Sequence, residues 1–414
     1  MVAGKPDLKL TLILLVGVVL LLFRSDSIIT FVDIVSVLER ADRISRGHDL
    51  LHPLYPVGYP AFLSLFSGHS GLYAAKILSL LSAVFLLWCA GREVGIRSAV
   101  ALLCCTAWVT WGSTEGTDML AAALSVSAIL CAPKHTLFSV FLLGVACLVR
   151  YTAWIAIPIV LLLVKERMKG MLLLFLLTLP HWGMVLWAGA LPFDQSENIA
   201  RGADASLWQR GSKALFLLVS PLCVLGAVGQ YVGRRDPRIM GLCIFALLHA
   251  LAIVAVFPNE RLLLPSVLGL VVGVGRLSAR WLPIVVGCGL WGLGQVPSNE
   301  DWRKLDQLAD STKLQQGRFL ASSAQVYSWR ETGIQASIPL SEVADPLQTD
   351  PKILVQWMKG NDVPIVVIRE RDCDRFPALI HLFREPQPPE ITQLECLEDW
   401  CIYSLSNFNL RPKN

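Results

Sequence analysis

Residues 33–60 read DIVSVLERADRISRGHDLLHPLYPVGYP, a charged and proline-punctuated stretch set between apolar runs. Its Asp33, Glu39, Arg40, Asp42, Arg43, Arg46 and Asp49 would each cost about 2.5 to 3.5 kcal/mol at the centre of a bilayer on insertion scales. The stretch therefore belongs outside the membrane. Within it Ile34, Val37, Leu38, Ala41 and Ile44 recur three or four apart and Gly47 closes the pattern. That spacing predicts one amphipathic helix on the membrane surface. The HPLYPVGYP that ends the stretch predicts an extended turn, with Tyr55 and Tyr59 at headgroup level.

The composition around this stretch sets the class. Of 414 residues 54% are hydrophobic and 16% charged, and the mean hydropathy is +0.56, which reads as a polytopic membrane protein of mainly helical class. A net charge of +4 gives no ground for nucleic-acid binding and reads as charge placed for topology. Cys89, Cys104, Cys105, Cys131, Cys147, Cys223, Cys243 and Cys288 lie in apolar runs as packing residues, and no metal-ligand spacing occurs. Cys373, Cys396 and Cys401 fall in a polar tail, where two can pair in an oxidising compartment or all three stay free.

Apolar runs near residues 8–23, 71–90, 98–113, 118–132, 136–149, 152–164, 171–190, 213–232, 239–257, 262–275 and 281–296 give about eleven spans, of which the fifth and sixth, sharing the LVRYTAW break, also suit a re-entrant pair. The first, KPDLKLTLILLVGVVLLLF, has no small-residue cleavage site after it and reads as a retained span. Lys5, Lys9, Arg92, Arg97, Lys134, Lys165, Arg167, Lys169, Arg234, Arg235, Arg238, Arg276 and Arg280 gather on one side with few acids among them. By the positive-inside rule that side and the N-terminus are cytoplasmic, in a multi-pass plasma or inner membrane. An odd number of spans leaves the C-terminus outside. The expected organisation is a bundle over 1–297, with an outer loop at 24–60 that carries the surface helix, and an extracytoplasmic α/β domain over 298–414. In the latter RFLASS, PIVVIRE and WCIYSL read as strands, and DPKILVQWMKGND as a helix with Ile353, Leu354, Trp357 and Met358 on one face.

On the outer side the chain brings up Asp33, Glu115, Asp118, Arg150 in the LVRYTAW break, and Arg261. Carboxylates and arginines meeting beside lipid suggest a phosphate-bearing lipid substrate. Plainer roles exist for each. Asp33 suits a helix entry, Glu115 and Asp118 complement a helix dipole, the arginines snorkel, and His52, Tyr55 and Tyr59 suit a turn and an aromatic anchor.

In the order and sidedness of these motifs the chain resembles the GT-C membrane glycosyltransferases, including protein O-mannosyltransferases and the aminoarabinose transferases of lipid A. Residues 33–47 with His52-Pro53 and Val57-Gly58-Tyr59-Pro60 look like their first outer loop. GSTEGTDMLAAAL, LVRYTAWIAIP and NERLLLPSVLG are similar to later segments, so that the likeness covers about residues 8–296. It implies transfer of a sugar from a polyprenyl-phosphate donor to an acceptor hydroxyl at the outer surface, with inversion, on a glycan, lipid or protein of the cell envelope. Asp33 is then the candidate general base, and Arg150 and Arg261 the stabilisers of the leaving phosphate, with Glu115, Asp118, His52, Tyr55 and Tyr59 as further substrate-binding candidates. Protein O-mannosyltransferases carry an Asp-Glu pair where this chain has Asp33-Ile34, which argues against protein mannosylation. No cofactor is required, although a divalent metal held by Asp33 with Glu115 or Asp118 remains compatible. The competing class is a transporter or flippase of a lipid-linked or anionic substrate, which predicts repeated halves that the sequence lacks.

Overall fold

In the computed structural model the described residues are 7–25, 37–38, 40–41, 44–45, 56–66, 69–114, 116–188, 206–256, 261–293, 319–321, 337–339, 351–369, 389–397 and 400–405. They fall into two compact units, a helical one through residue 293 and a sheet-containing one from residue 319.

The helical unit comprises α1 (Leu8–Ser25), α2 (Gly58–Leu63), α3 (His69–Glu93), α4 (Ile96–Leu103), α5 (Thr106–Gly112), α6 (Thr117–Cys131), α7 (Thr136–Val149), α8 (Ile157–Leu163), α9 (Arg167–Ala188), α10 (Leu207–Leu218), α11 (Pro221–Val232), α12 (Pro237–Val256), α13 (Leu264–Val272) and α14 (Leu282–Leu293). At its centre stands α6, every residue of which is buried, packed by α3, α7, α12 and α13. Outward-facing positions stay apolar, as at Leu12, Val19, Leu81, Leu176, Phe216 and Leu247. Such a surface suits lipid rather than water, and the chain is an integral membrane protein. Among the described residues Gly71–Glu93 and Pro237–Ala255 are long and apolar enough to cross a bilayer, and α10 with α11, bent by 85°, forms a third if the pair counts as one.

Several expected spans are thus not single rods. The run 213–232 breaks because Ser220 caps α11 through its side chain and Pro221 occupies the first helical turn. That Ser-Pro pair restarts a helix instead of continuing one. The run 98–113 divides at the extended Cys105 between α4 and α5, without any glycine or proline to announce it. Pro60 also departs from the expected extended turn, because it lies inside the first turn of α2, where the absent N–H has no helical partner to lose. Tyr59, expected at the headgroup level, is buried. Gly58 permits this by bringing α2 against α7, where an added Cβ would lie 2.7 Å from the carbonyl of Leu148. The described residues of the predicted surface helix are helical, and Val37, Leu38 and Ala41 are buried as the stripe requires. Arg40, which the same reading places in water, is buried as well.

At one end of the bundle Glu93, at the close of α3, pairs with Lys134 at 2.8 Å and with Arg238 at 3.1 Å. Asp236 takes Arg238 at 2.8 Å and also pairs with Arg276. Two acids thus sit inside the set of basic residues that the sequence places on one side. Elsewhere α11 crosses α13 backbone to backbone. A Cβ added at Gly229 would overlap the carbonyl of Gly273, and one added at Gly226 the carbonyl of Leu270.

The second unit is a five-stranded sheet in the order β2-β1-β3-β5-β4, from β1 (Phe319–Ala321), β2 (Ser337–Pro339), β3 (Ile365–Arg369), β4 (Ile391–Leu397) and β5 (Trp400–Leu405). β1 pairs with β2 and β3 in parallel, and β5 with β3 and β4 antiparallel. Helix α15 (Pro351–Gly360) sets Leu354, Val355 and Met358 into a core with Leu320, Val366 and Tyr403. Ile353, expected on that face, is 41% exposed and Val355 takes its place. The two edge strands escaped sequence reading because β2 ends in a proline and β4 exposes Thr392, Gln393 and Glu395 around a register shift that breaks the alternation. Cys396 and Cys401, direct partners across β4 and β5, form a disulfide. Cys373 lies outside the described residues.

Gly229→Ala will force α11 off α13 and lower stability by about 1 to 3 kcal/mol, whereas Gly287→Ala, whose Cβ meets nothing within 4 Å, will be neutral or raise it by about 0.5 to 1 kcal/mol. Thermal unfolding in detergent micelles measures both. Burial works against the Asp236 carboxylate, yet hydrogen bonds from Arg238 and the charges of Arg238 and Arg276 prevail and hold it below the usual range. Its stabilisation is therefore complete above the unfolded-state pKa of about 3.9 and lost as pH falls through the lower folded value. Asp236→Asn will lower the unfolding midpoint at pH 7 and leave a flatter acid limb below pH about 4.

Candidate functional site

The opposite end of α6 carries the second polar cluster. Gly116 precedes the helix with φ of +149°, a conformation that side chains rarely adopt and glycine does. The chain can thereby enter α6 with Thr117 and Asp118 in its first turn. An acid there already complements the helix dipole. Here it also meets two arginines, because Arg150 forms an ion pair with Asp118 and Arg261 Nε lies 3.5 Å from Asp118 Oδ2.

Arg150 reaches Asp118 because α7 stops there. The residue is extended, with φ of −152° and ψ of 135°, between α7 and a 3-10 turn over Tyr151–Ala156. Its Nη1 also donates to Thr117 Oγ1 at 3.2 Å. Arg261 comes from the turn ahead of α13, where its carbonyl accepts from Leu264 N at 3.2 Å. Asp118 and Arg150 are 8% and 9% exposed, so the pair is held in a low-dielectric setting where loss of one partner is costly to the other.

Below this cluster His249 of α12 is fully enclosed. The Ser266 hydroxyl donates to the carbonyl of Ala246 at 3.0 Å, so its oxygen accepts from His249 Nδ1–H, also at 3.0 Å. The hydrogen-bond network thus assigns the tautomer and leaves Nε2 as an acceptor, which has no hydrogen-bond partner. Arg150 is the charged neighbour of this histidine.

Of the residues singled out by sequence, the structure brings Asp118, Arg150 and Arg261 together. It sets Tyr59 in the packing of α2 on α7. Asp33, His52, Tyr55 and Glu115 lie outside the described residues. Thr117, His249 and Ser266 were not foreseen, although a lone histidine in the apolar run FALLHALA is the kind of intramembrane polar residue that marks a site.

Asp118→Asn will lower stability by about 3 to 5 kcal/mol, since it removes the carboxylate that pairs with the buried Arg150. The double variant Asp118→Asn with Arg150→Gln will recover part of that loss. Unfolding midpoints of the two single variants and the double will show a coupling of about 0.5 to 3 kcal/mol.

No protein-family model and no curated protein sequence matches the chain. Its fold does have solved relatives. ArnT from Cupriavidus metallidurans bound to undecaprenyl phosphate superposes with a TM-score of 0.58 at 14% identity, over 98% of this chain and 99% of that one. The apo state of the same enzyme gives 0.54 at 13% identity, over 95% and 97%. The apo oligosaccharyltransferase of Archaeoglobus fulgidus gives 0.51 at 11% identity, over 93% of this chain and 72% of that one. The chain has the fold of these GT-C membrane glycosyltransferases.

Proposed function

We propose that the chain is a membrane glycosyltransferase that passes a sugar from a polyprenyl-phosphate donor to an acceptor hydroxyl on the outer face of the membrane. The supporting observation is the cluster of buried Asp118 and Arg150 with the partly exposed Arg261, set in a fold shared with ArnT, which has been captured with undecaprenyl phosphate.

In this reading the donor phosphate meets Arg150 and Arg261, whose forked N–H groups suit its oxygens. Asp118 holds both guanidinium groups in place beforehand, so that little reorganisation is needed when the glycosidic C–O bond breaks and charge grows on the departing phosphate. The phosphate is a weak base and leaves without a proton. The acceptor hydroxyl must shed one as it attacks the anomeric carbon from the opposite side, and a carboxylate suits that role. Asp33, which opens the charged stretch after the leading apolar run, is the proposed base, and attack from behind inverts the anomeric centre.

Purified protein presented with a panel of undecaprenyl-phosphate sugars tests this reading. Wild type will consume at least one donor, and Asp33→Asn will bind that donor with similar affinity while its turnover falls at least about 100-fold. Equal turnover by both proteins removes Asp33 as the base. Consumption of no donor, with retained lipid binding, points instead to transport.

A further inference from the structure

A second enclosed histidine stands against Tyr151, the residue that follows Arg150. His181 of α9 has no exposed surface, and neither ring nitrogen has a hydrogen-bond partner. Its ring centroid lies 5.5 Å from that of Tyr151, 6.3 Å from that of Trp154 and 5.9 Å from that of Trp182. Trp154 and Trp182 meet edge to face at 5.1 Å. Trp154 is fixed by its Nε1–H, which donates to the carbonyl of Cys147 at 3.0 Å. Arg40, itself 6% exposed, is the charged neighbour of both Tyr151 and His181. Pro180, immediately before the histidine, lies inside α9 and removes one helical hydrogen bond there.

An enclosed imidazole with nothing to bond loses about 1 to 3 kcal/mol for each unsatisfied group, and such an orphan in a folded protein calls for an occupant. A neutral imidazole presents one donor and one acceptor. A lipid tail satisfies the rings and neither nitrogen. A bare phosphate only accepts, and leaves the acceptor nitrogen unpaired. A sugar ring does both, since its hydroxyls donate and accept while its C–H faces lie against aromatic side chains. Tyr151 follows Arg150 directly in the chain, which ties this box to the segment whose arginine is proposed to hold the donor phosphate.

We propose that Tyr151, Trp154, His181 and Trp182 form the subsite for the sugar ring of the lipid-linked donor. This rests on the glycosyltransferase reading above and adds to it the place where the transferred sugar is recognised. Trp182, only partly buried, is the wall of the box that reaches the surface of the helical unit.

The test compares binding of undecaprenyl phosphate with that of undecaprenyl-phosphate-linked mannose, glucose and galactose to the full chain in nanodiscs, for wild type, His181→Phe and His181→Gln. Wild type will bind at least one sugar-linked form about tenfold or more tightly than the bare lipid phosphate. His181→Phe will bind the bare lipid as wild type does and lose that preference, whereas His181→Gln, which keeps a donor and an acceptor, will retain part of it. The unfolding midpoint of His181→Phe will equal or exceed that of wild type, because the orphaned nitrogens are gone. A His181→Phe protein that keeps the full preference overturns the subsite, as does a wild type that binds the bare lipid and prefers none of the sugars. A wild type that binds neither form overturns the glycosyltransferase reading itself.

Discussion

The ion pair between Asp118 and Arg150 is the constraint on which the polar end of the bundle depends. Neither charge is tolerable alone at its depth, so each fixes a helix terminus of the other's neighbourhood. Asp118 requires α6 to begin where it does, and Gly116 supplies the backbone that allows that start. Arg150 requires α7 to stop, and its extended backbone hands the chain to the 3-10 turn that carries Tyr151 and Trp154. Arg261 joins from a third element. One buried carboxylate thus sets the position of three chain segments that are far apart in sequence.

The two ends of α6 solve different problems with similar residues. At the Glu93 end, acids and bases pair side by side and Lys134 remains largely exposed, so charge there is partly solvated and ties α3 to α12 and Arg276. At the Asp118 end Asp118 and Arg150 are enclosed, and His249, with an unpartnered Nε2, has Arg150 as its charged neighbour.

Much of this arrangement was legible in the sequence because membrane-spanning runs constrain polar residues strongly. Arg150 interrupts an apolar run and so marks a break, and the break is there. Asp118, Arg150 and Arg261 fall at run ends on one side, and the structure gathers them. What was hidden is of other kinds. The restart at Ser220-Pro221 lies between residues so uniformly apolar that hydropathy merges α10 with α11. The division at Cys105 has no breaker residue at all. Arg40 shares a helix with an apolar stripe, and periodicity says which face is apolar but not what covers the other. His181 and His249 each stand alone in sequence, and their partners come from other helices.

The length of α6 has a consequence for how the protein meets its membrane. Fifteen residues rise about 22 Å, against roughly 30 Å of hydrocarbon. A helix exposed to lipid with that deficit would have to thin the bilayer around it or recruit neighbours, at some cost per ångström of mismatch. Because every residue of α6 is covered by protein, that matching falls to the outer helices, and the depth of Asp118 is set by side-chain packing instead. The polar cluster is in this way insulated from bilayer thickness, and membranes of different lipid composition would present the same site geometry.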